Sequence, residues 1–312
     1  MSARLRITPP ADYLFRRDCC SYGYFLLAPN VWDPATRTLT RPFLLPGGRA
    51  HAQIAQPSDA PGGAVTARVD RDLDVADRAA LRRQIRRMLN LDDAGVAGFH
   101  RADRRWRRAG RGRLFRSPTV FEDLIKTVTS CNVAWPSTIT MNRRLCEVIE
   151  PAFPAPGQLA RRRPQTLRSR CGVGYRDRRI VDLARLITSG RLDMQWLEDP
   201  ATPDEDAHRA LLDLPGIGPY AAGNMMQLLG RYGYLAVDTE TIRHGRAVLG
   251  FAGSDRAVEK RVRAHYDRFG AHRFRSYWFE LWAHYEAKHG PAWTWEPRTT
   301  GTQFTAAKLN SD

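Results

Sequence analysis

Lysine is scarce. Four occur in 312 residues (Lys126, Lys260, Lys288 and Lys308), so 45 of the 49 basic residues are arginines. Cysteine is sparse too: Cys19, Cys20, Cys131, Cys146 and Cys171 make an odd number, with no CxxC pair and none after residue 171. That pattern offers neither a disulfide framework nor a zinc or iron–sulfur site, and it leaves buried free thiols in a reducing compartment. No apolar run approaches the roughly 20 residues a membrane helix needs. The opening stretch "MSARLRITPPADYLF" lacks the apolar centre of a signal peptide, so an intracellular, cytoplasmic chain with no membrane partner is expected. Acidic residues are also in short supply. Against 49 basic residues stand 33 acidic ones, giving a net charge of +16 and a pI near 10.3. An arginine-rich proteome explains arginine in place of lysine, but not the excess of positive charge, which points to phosphate binding.

What is present describes a globular protein. The hydrophobic fraction is 43%, with 8 Trp, 10 Tyr and 12 Phe. At about 150 residues per domain, the length allows two or three lobes. Residues 1–75 hold short segments such as "SYGYFLLAPNVW", "TRTLTRPFLLPG", "RAHAQIAQ" and "GGAVTARV", divided by Pro and Gly turns. They predict an N-terminal antiparallel β domain of several short strands. From residue 76 the period changes, and Ala80, Leu81, Ile85, Met88 and Leu89 recur at helical spacing. Helices are expected over 76–90, 93–102, 117–131, 136–149, 177–188, 204–213, 219–230, 238–249, 255–269 and 272–288. The fold class is therefore mostly α (α+β), with a helical core over 76–290 and a tail over 291–312. The basic run "ADRRWRRAGRGRLFRSP" (102–118) reads either as a solvated face or, given Trp106 and Phe115, as a DNA-facing loop.

The stretch "LLDLPGIGPYAAGNMMQLLGRYGYLAVDTETIRHG" (211–245) carries the chemistry. An amphipathic helix stops at Pro215. Gly216 and Gly218 supply backbone freedom with no side chain above the turn, and Pro219 suits the first turn of a second helix. Helix, glycine turn and helix make a hairpin over 208–230 whose bare amides suit a phosphate oxygen. Such a grip positions a duplex and reads no sequence. A plain antiparallel helix pair is the simpler alternative. Asp238 then follows the strand-like "YLAV" and stands where it caps the next helix, with Thr239 and Thr241 nearby.

"LPGIGPYAAGNMMQLL" followed by "AVDT" resembles the helix–hairpin–helix, Gly/Pro-rich, aspartate motif of the base-excision DNA glycosylase superfamily. The interval of 18 residues from Tyr220 to Asp238 equals the one between that family's lysine position and its aspartate. "FRSPTVFEDLIKTVTSCNVAWPSTITMNRRL", "LRSRCGVGYRDRRIVDLARLI" and "FGAHRFRSYWFELWAHYE" resemble segments of the AlkA and 8-oxoguanine glycosylase branch. The resemblance covers about residues 76–290, the β-rich N-terminus matches the extra domain of that branch, and the iron–sulfur loop of other members is missing. It implies a monomeric, nucleoid-associated partner of double-stranded DNA containing a damaged or modified base. It implies no metal or other cofactor, apart from a monovalent cation that the hairpin backbone would hold.

The resemblance assigns roles residue by residue. Asp238 is the catalytic carboxylate that stabilises the oxocarbenium-like sugar and orients or deprotonates water. Leu214, Gly216, Ile217 and Gly218 form the DNA grip. Asn132 falls in the loop that fills the gap left by a flipped base, or is simply a turn-forming Asn. Tyr175 and Arg176 fall near the opposite-strand contacts. Tyr220, Asn224, Trp135, Trp278 and Trp282 are candidates for the base pocket, although Trp278 and Trp282 at i, i+4 also suit a helix core. Tyr220 stands where bifunctional members carry a lysine, and a phenol forms no imine, so hydrolysis by water is expected. The alternatives are a silent DNA-binding module, a bifunctional glycosylase/lyase, and an enzyme acting on hypermodified bases of foreign DNA in antiphage defence.

Overall fold

The computed structural model describes residues 3–296. Its strands are β1 (Ala3–Ile7), β2 (Val31–Asp33), β3 (Thr38–Leu45), β4 (Gly48–Ala55) and β5 (Val65–Val69). The helices begin with α1 (Phe15–Cys19), α2 (Val75–Met88), α3 (Val96–Ala102), α4 (Arg105–Ala109), α5 (Val120–Ser130), α6 (Trp135–Val148), α7 (Pro156–Ala160) and α8 (Pro164–Thr166). They continue with α9 (Asp177–Thr188), α10 (Met194–Glu198), α11 (Asp204–Leu212), α12 (Pro219–Leu228), α13 (Thr239–Ala247), α14 (Asp255–Asp267) and α15 (Arg273–His289). The chain is mostly helical with an N-terminal antiparallel sheet, as the two periodicities predict. Of the described residues, 3–93, 113–192 and 291–296 form one compact unit, and Ala94–Gly112 with Asp193–Gly290 form a second.

In the first unit the strand order is β1-β5-β4-β3-β2, antiparallel throughout. Period-two alternation sets the inner face. Leu5, Ile7, Ala52, Ile54, Ala67 and Val69 are buried, while Arg4, Arg6, His51, Gln53 and Arg68 are exposed. One inward position on β3 is not apolar. Arg41 is 1% exposed and makes a bidentate pair with Glu122 of α5, at 3.1 and 2.9 Å. Lys126, one turn further along α5, donates to the same carboxylate at 2.7 Å. This three-residue ion cluster fastens the sheet to the helix. Burial lowers the pKa of Lys126, while the Glu122 carboxylate opposes that shift.

Several segments differ from the sequence expectation, among them the short helices α1, α4, α7, α8 and α10, which lie outside the expected ranges. "SYGYFLLAPNVW" is not a strand along its length: Gly23–Leu26 is a single 3-10 turn, and only Val31–Asp33 joins the sheet. Its backbone amides bond locally (Phe25 to the Tyr22 carbonyl, Leu27 to the Tyr24 carbonyl), and the Asn30 side-chain Nδ2 closes the loop on the Tyr24 carbonyl at 2.8 Å. The aromatics fill the core from that turn, with the Tyr24 hydroxyl 3.0 Å from Thr127 Oγ1. The run 102–118 is not a DNA-facing aromatic loop. Trp106 and Phe115 are both buried, Arg105 pairs with Asp103 and Glu280, Arg111 pairs with Glu286, and Arg113 with Asp12. Pro291–Trp295, at the head of the expected tail, is ordered: Ala292 and Trp295 are buried, and the Trp293 carbonyl accepts from Trp32 Nε1 at 2.9 Å. The rest of that tail, from 297, lies outside the described residues.

The second unit is helical, with Val258, Val262, Tyr266, Phe274 and Phe279 in its core. Glycine at 223 governs its geometry. A Cβ there would sit 3.1 Å from Ala236 Cα and 3.3 Å from the Leu235 carbonyl oxygen. Helix α12 thus lies directly against the chain that leads into Asp238. That chain, "YLAV", forms no strand and has no ladder partner among the described residues. Leu235 and Ala236 are buried against α12, so packing on a helix covers this strand-like apolar run.

Candidate active site

The hairpin comprises α11, the turn 213–218 and α12. Leu214 and Ile217 are buried and anchor the turn, and the Ile217 amide bonds the Leu214 carbonyl at 3.1 Å. Gly216 has φ +79°, a conformation that L side chains resist. Gly218 is the N-cap of α12, is exposed, and a Cβ there would meet nothing within 4 Å. The turn therefore presents backbone to solvent at the head of α12. Arg231, just beyond α12, braces the approach to α11. Its guanidinium bonds the carbonyls of Asp199 and Thr202, each at 2.7 Å, and pairs with Asp204.

Asp238 is the N-cap of α13. Its Oδ1 accepts from the Thr241 amide at 3.0 Å and from Thr241 Oγ1 at 3.1 Å, while its own amide donates back to Thr241 Oγ1 at 3.2 Å. This reciprocal box fixes the carboxylate and leaves Oδ2 outside it. Thr241 Oγ1 is in turn 2.9 Å from the hydroxyl of Tyr277 on α15. Since the single threonine proton goes to Asp238, Tyr277 is the donor of that bond. Burial, together with the charge of Asp238, holds the Tyr277 phenol neutral, far above its ordinary pKa. Burial raises the pKa of Asp238 itself, the Thr241 amide opposes this, and the Glu240 carboxylate raises it further. Glu240 is held by Arg243 and by the Tyr285 hydroxyl.

The second unit holds several of the pocket candidates. Tyr220 is half-buried in the first turn of α12. It shares its helix face with Gly223 and Asn224, and that face meets Ala236, two residues before Asp238. Asn224 is 3% exposed, and its side-chain oxygen accepts from Gln227. On α15, Trp278 stacks between Phe274 (5.9 Å, 17° between planes) and Trp282 (5.4 Å, 26°). Trp282 is buried and belongs to this internal ladder, whereas Trp278 is half-buried.

The other candidates sit together in the first unit. Asn132 is exposed at φ +53° in the turn between α5 and α6. Arg176 is 4% exposed; its guanidinium bonds the Val128 carbonyl at 3.1 Å and the Cys131 carbonyl. It holds the Asn132 turn from inside and does not face solvent. Tyr175 is 50% exposed, with the Arg176 and Arg179 guanidiniums 4.4 and 4.9 Å from its ring centre. Trp135, the first residue of α6, is half-buried against Gly23, where a Cβ would lie 3.0 Å from the indole.

Sequence reasoning missed Tyr277, Glu240, Tyr285 and Arg231. Thr241 had a local signal, the third position after a cap. Tyr277 had none, because its contact spans 36 residues. Among the described residues, no group of three His, Cys, Asp or Glu side chains is arranged to hold a metal ion, and no helix is long and apolar enough to cross a membrane.

No family model and no curated protein sequence matches the chain. Solved structures do. A 3-methyladenine DNA glycosylase from Archaeoglobus fulgidus matches with TM-score 0.68 at 19% identity, covering 89% of this chain and 98% of that one. MBOgg1 in complex with a low-affinity DNA ligand matches with TM-score 0.66 at 16% identity, over 91% and 96% of the two chains. The 8-oxoguanine glycosylase/lyase of Clostridium acetobutylicum, in its apo form, gives 0.60 at 14% identity, over 83% and 92%. The fold is that of the helix–hairpin–helix DNA glycosylases.

Proposed function

We propose that this chain is a monofunctional DNA glycosylase, which hydrolyses the N-glycosidic bond of a flipped base and leaves an abasic site in an intact strand. The observation that carries the proposal is Asp238: a half-buried, capped carboxylate with one oxygen fixed by Thr241, at the end of the chain braced by the hairpin helix. As the base departs, positive charge builds on the sugar, and a fixed anion in a poorly solvated site stabilises that charge and orients water. The hairpin turn grips a phosphate, and Tyr220 forms a wall of the base pocket.

Hydrolysis without lyase chemistry is favoured by the amines. Tyr220 offers no amine at the position where bifunctional enzymes of the resembled family carry a lysine. Lys126 is fully buried in its ion pair with Glu122, and Lys260 and Lys288 lie exposed on α14 and α15. Lys308 lies outside the described residues. We favour alkylated purines as substrates, because their positive charge suits both an aromatic wall and a nearby carboxylate. Repair of the cell's own DNA and attack on modified foreign DNA use the same chemistry at this site.

Oligonucleotides carrying single lesions, with mass detection of the released base, test the reading. Wild type releases free base and Asp238→Asn does not. Release by both proteins, or by neither on any lesion, contradicts it. Borohydride trapping yields no protein–DNA adduct, and an adduct would establish a lyase instead.

A further inference from the structure

The outer face of the N-terminal sheet carries an arrangement that the fold itself does not need. In the β1–β5 ladder Arg4 stands directly opposite Arg68. Arg68 is opposite Gln53 of β4, and Gln53 is opposite Thr40 of β3. Arg6 follows Arg4 on the same face. All three arginines are exposed, and none of their guanidiniums makes a hydrogen bond or ion pair among the described residues. Arg82 of α2 donates to the Arg6 carbonyl at 3.1 Å, which brings a fourth guanidinium to the β1 edge.

Like charges placed directly across a ladder repel each other. Some other arginines of this unit meet carboxylates: Arg37 faces Asp59, and Arg86 faces Asp92. The acid nearest in sequence to Arg68 is Asp70, whose carboxylate accepts from the His51 amide at 2.9 Å. Charge on an edge strand does protect a sheet from pairing with another chain, and that accounts for Arg4 and Arg6. It does not account for Arg68, because β5 lies inside the sheet between β1 and β4. An anion supplied from outside turns the repulsion into attraction.

We infer that this face binds the phosphate backbone of duplex DNA, as a contact separate from the hairpin. The inference rests on the reading of the chain as a DNA glycosylase. Guanidinium, guanidinium, amide and hydroxyl form a row of donors across four strands, spanning roughly 14 Å at the ordinary strand spacing. Such a row suits phosphate oxygens and reads no base, so it adds affinity and positions the duplex without specificity.

The test compares two full-length triple variants with equal loss of charge. One is Arg4→Ser, Arg6→Ser and Arg68→Ser. The other is Arg37→Ser, Arg209→Ser and Arg263→Ser, which removes arginines that face Asp59, Asp206 and Glu259. Affinity for an undamaged duplex is measured by fluorescence anisotropy across a salt series. Each neutralised phosphate contributes about 0.9 to the slope of log K against log salt, so the first variant loses about 2 to 3 units of slope. The second loses far less. The first variant also keeps or gains thermal stability without DNA, since a like-charged pair has gone. Equal slopes for the two variants overturn the inference, and so does a fall in melting temperature with no change in slope. Loss of binding only to phosphatidylcholine–phosphatidylglycerol vesicles would reassign the face to a membrane surface and also overturn it. A wild type that releases no base, while the two slopes still differ, would sink the enzymatic proposal and leave this one standing.

Discussion

A carboxylate assists glycosidic cleavage only while ionised, and Asp238 sits where ionisation costs more than it does in water. Burial raises its pKa and Glu240 adds to the rise, so excision falls as the pH drops through a value above the ordinary aspartate range. Glu240→Gln removes a negative neighbour. Asp238 then ionises at lower pH, and the acid limb of the single-turnover rate moves down the pH scale. A limb that stays in place, or moves up, contradicts the assigned electrostatics. Asp238→Asn keeps the cap geometry but loses the charge, and base release falls by about 10² to 10⁴-fold with DNA affinity retained. The cap was legible in the sequence because a capping residue acts within one turn of its own helix. Arg176 was harder. An exposed DNA contact and a buried clamp on the Val128 and Cys131 carbonyls use the same five donors, and only the tertiary structure tells them apart.

Elements place these residues, and two contacts between elements decide how well. Gly223 lets α12 approach the backbone at Leu235 and Ala236, so Gly223→Val pushes on main chain that cannot yield cheaply. Displacement of Asp238 by about 1 Å costs on the order of 10²-fold in base release, while a variant with wild-type rate would show that α12 does not set the position of Asp238. In the first unit, Glu122 neutralises both Arg41 and Lys126. Glu122→Gln leaves two buried cations with a neutral partner and destabilises the protein by about 3–5 kcal/mol in denaturant unfolding. A loss below about 1 kcal/mol would mean that water or a rearranged partner already compensates them. Helix positions followed from the 3.6-residue period, with ends within a few residues of those observed. The "YLAV" segment escaped because a short apolar run looks alike whether a sheet or a helix face covers it.

At the scale of the whole molecule, charge governs the encounter with DNA. On the proposed phosphate docking, a chain of net charge +16 binds duplex mainly by releasing counterions, so its affinity falls by about 10³-fold or more between 50 and 200 mM salt. A flat salt response would contradict phosphate-dominated docking. The bulk charge was legible from composition, yet its distribution was not. Arg105, Arg111 and Arg113, in the run that reads as the most basic, are spent on carboxylates, whereas Arg4, Arg6 and Arg68 carry no partner among the described residues. Hydrolysis at Asp238 without an attacking amine is tested most directly by one reaction. A single-lesion duplex labelled on the lesion strand is incubated with excess enzyme, and free base and strand scission are counted in the same sample. Free base with an intact strand, lost in Asp238→Asn, is the predicted result. Strand cleavage in step with base release, or release that survives Asp238→Asn, would contradict it.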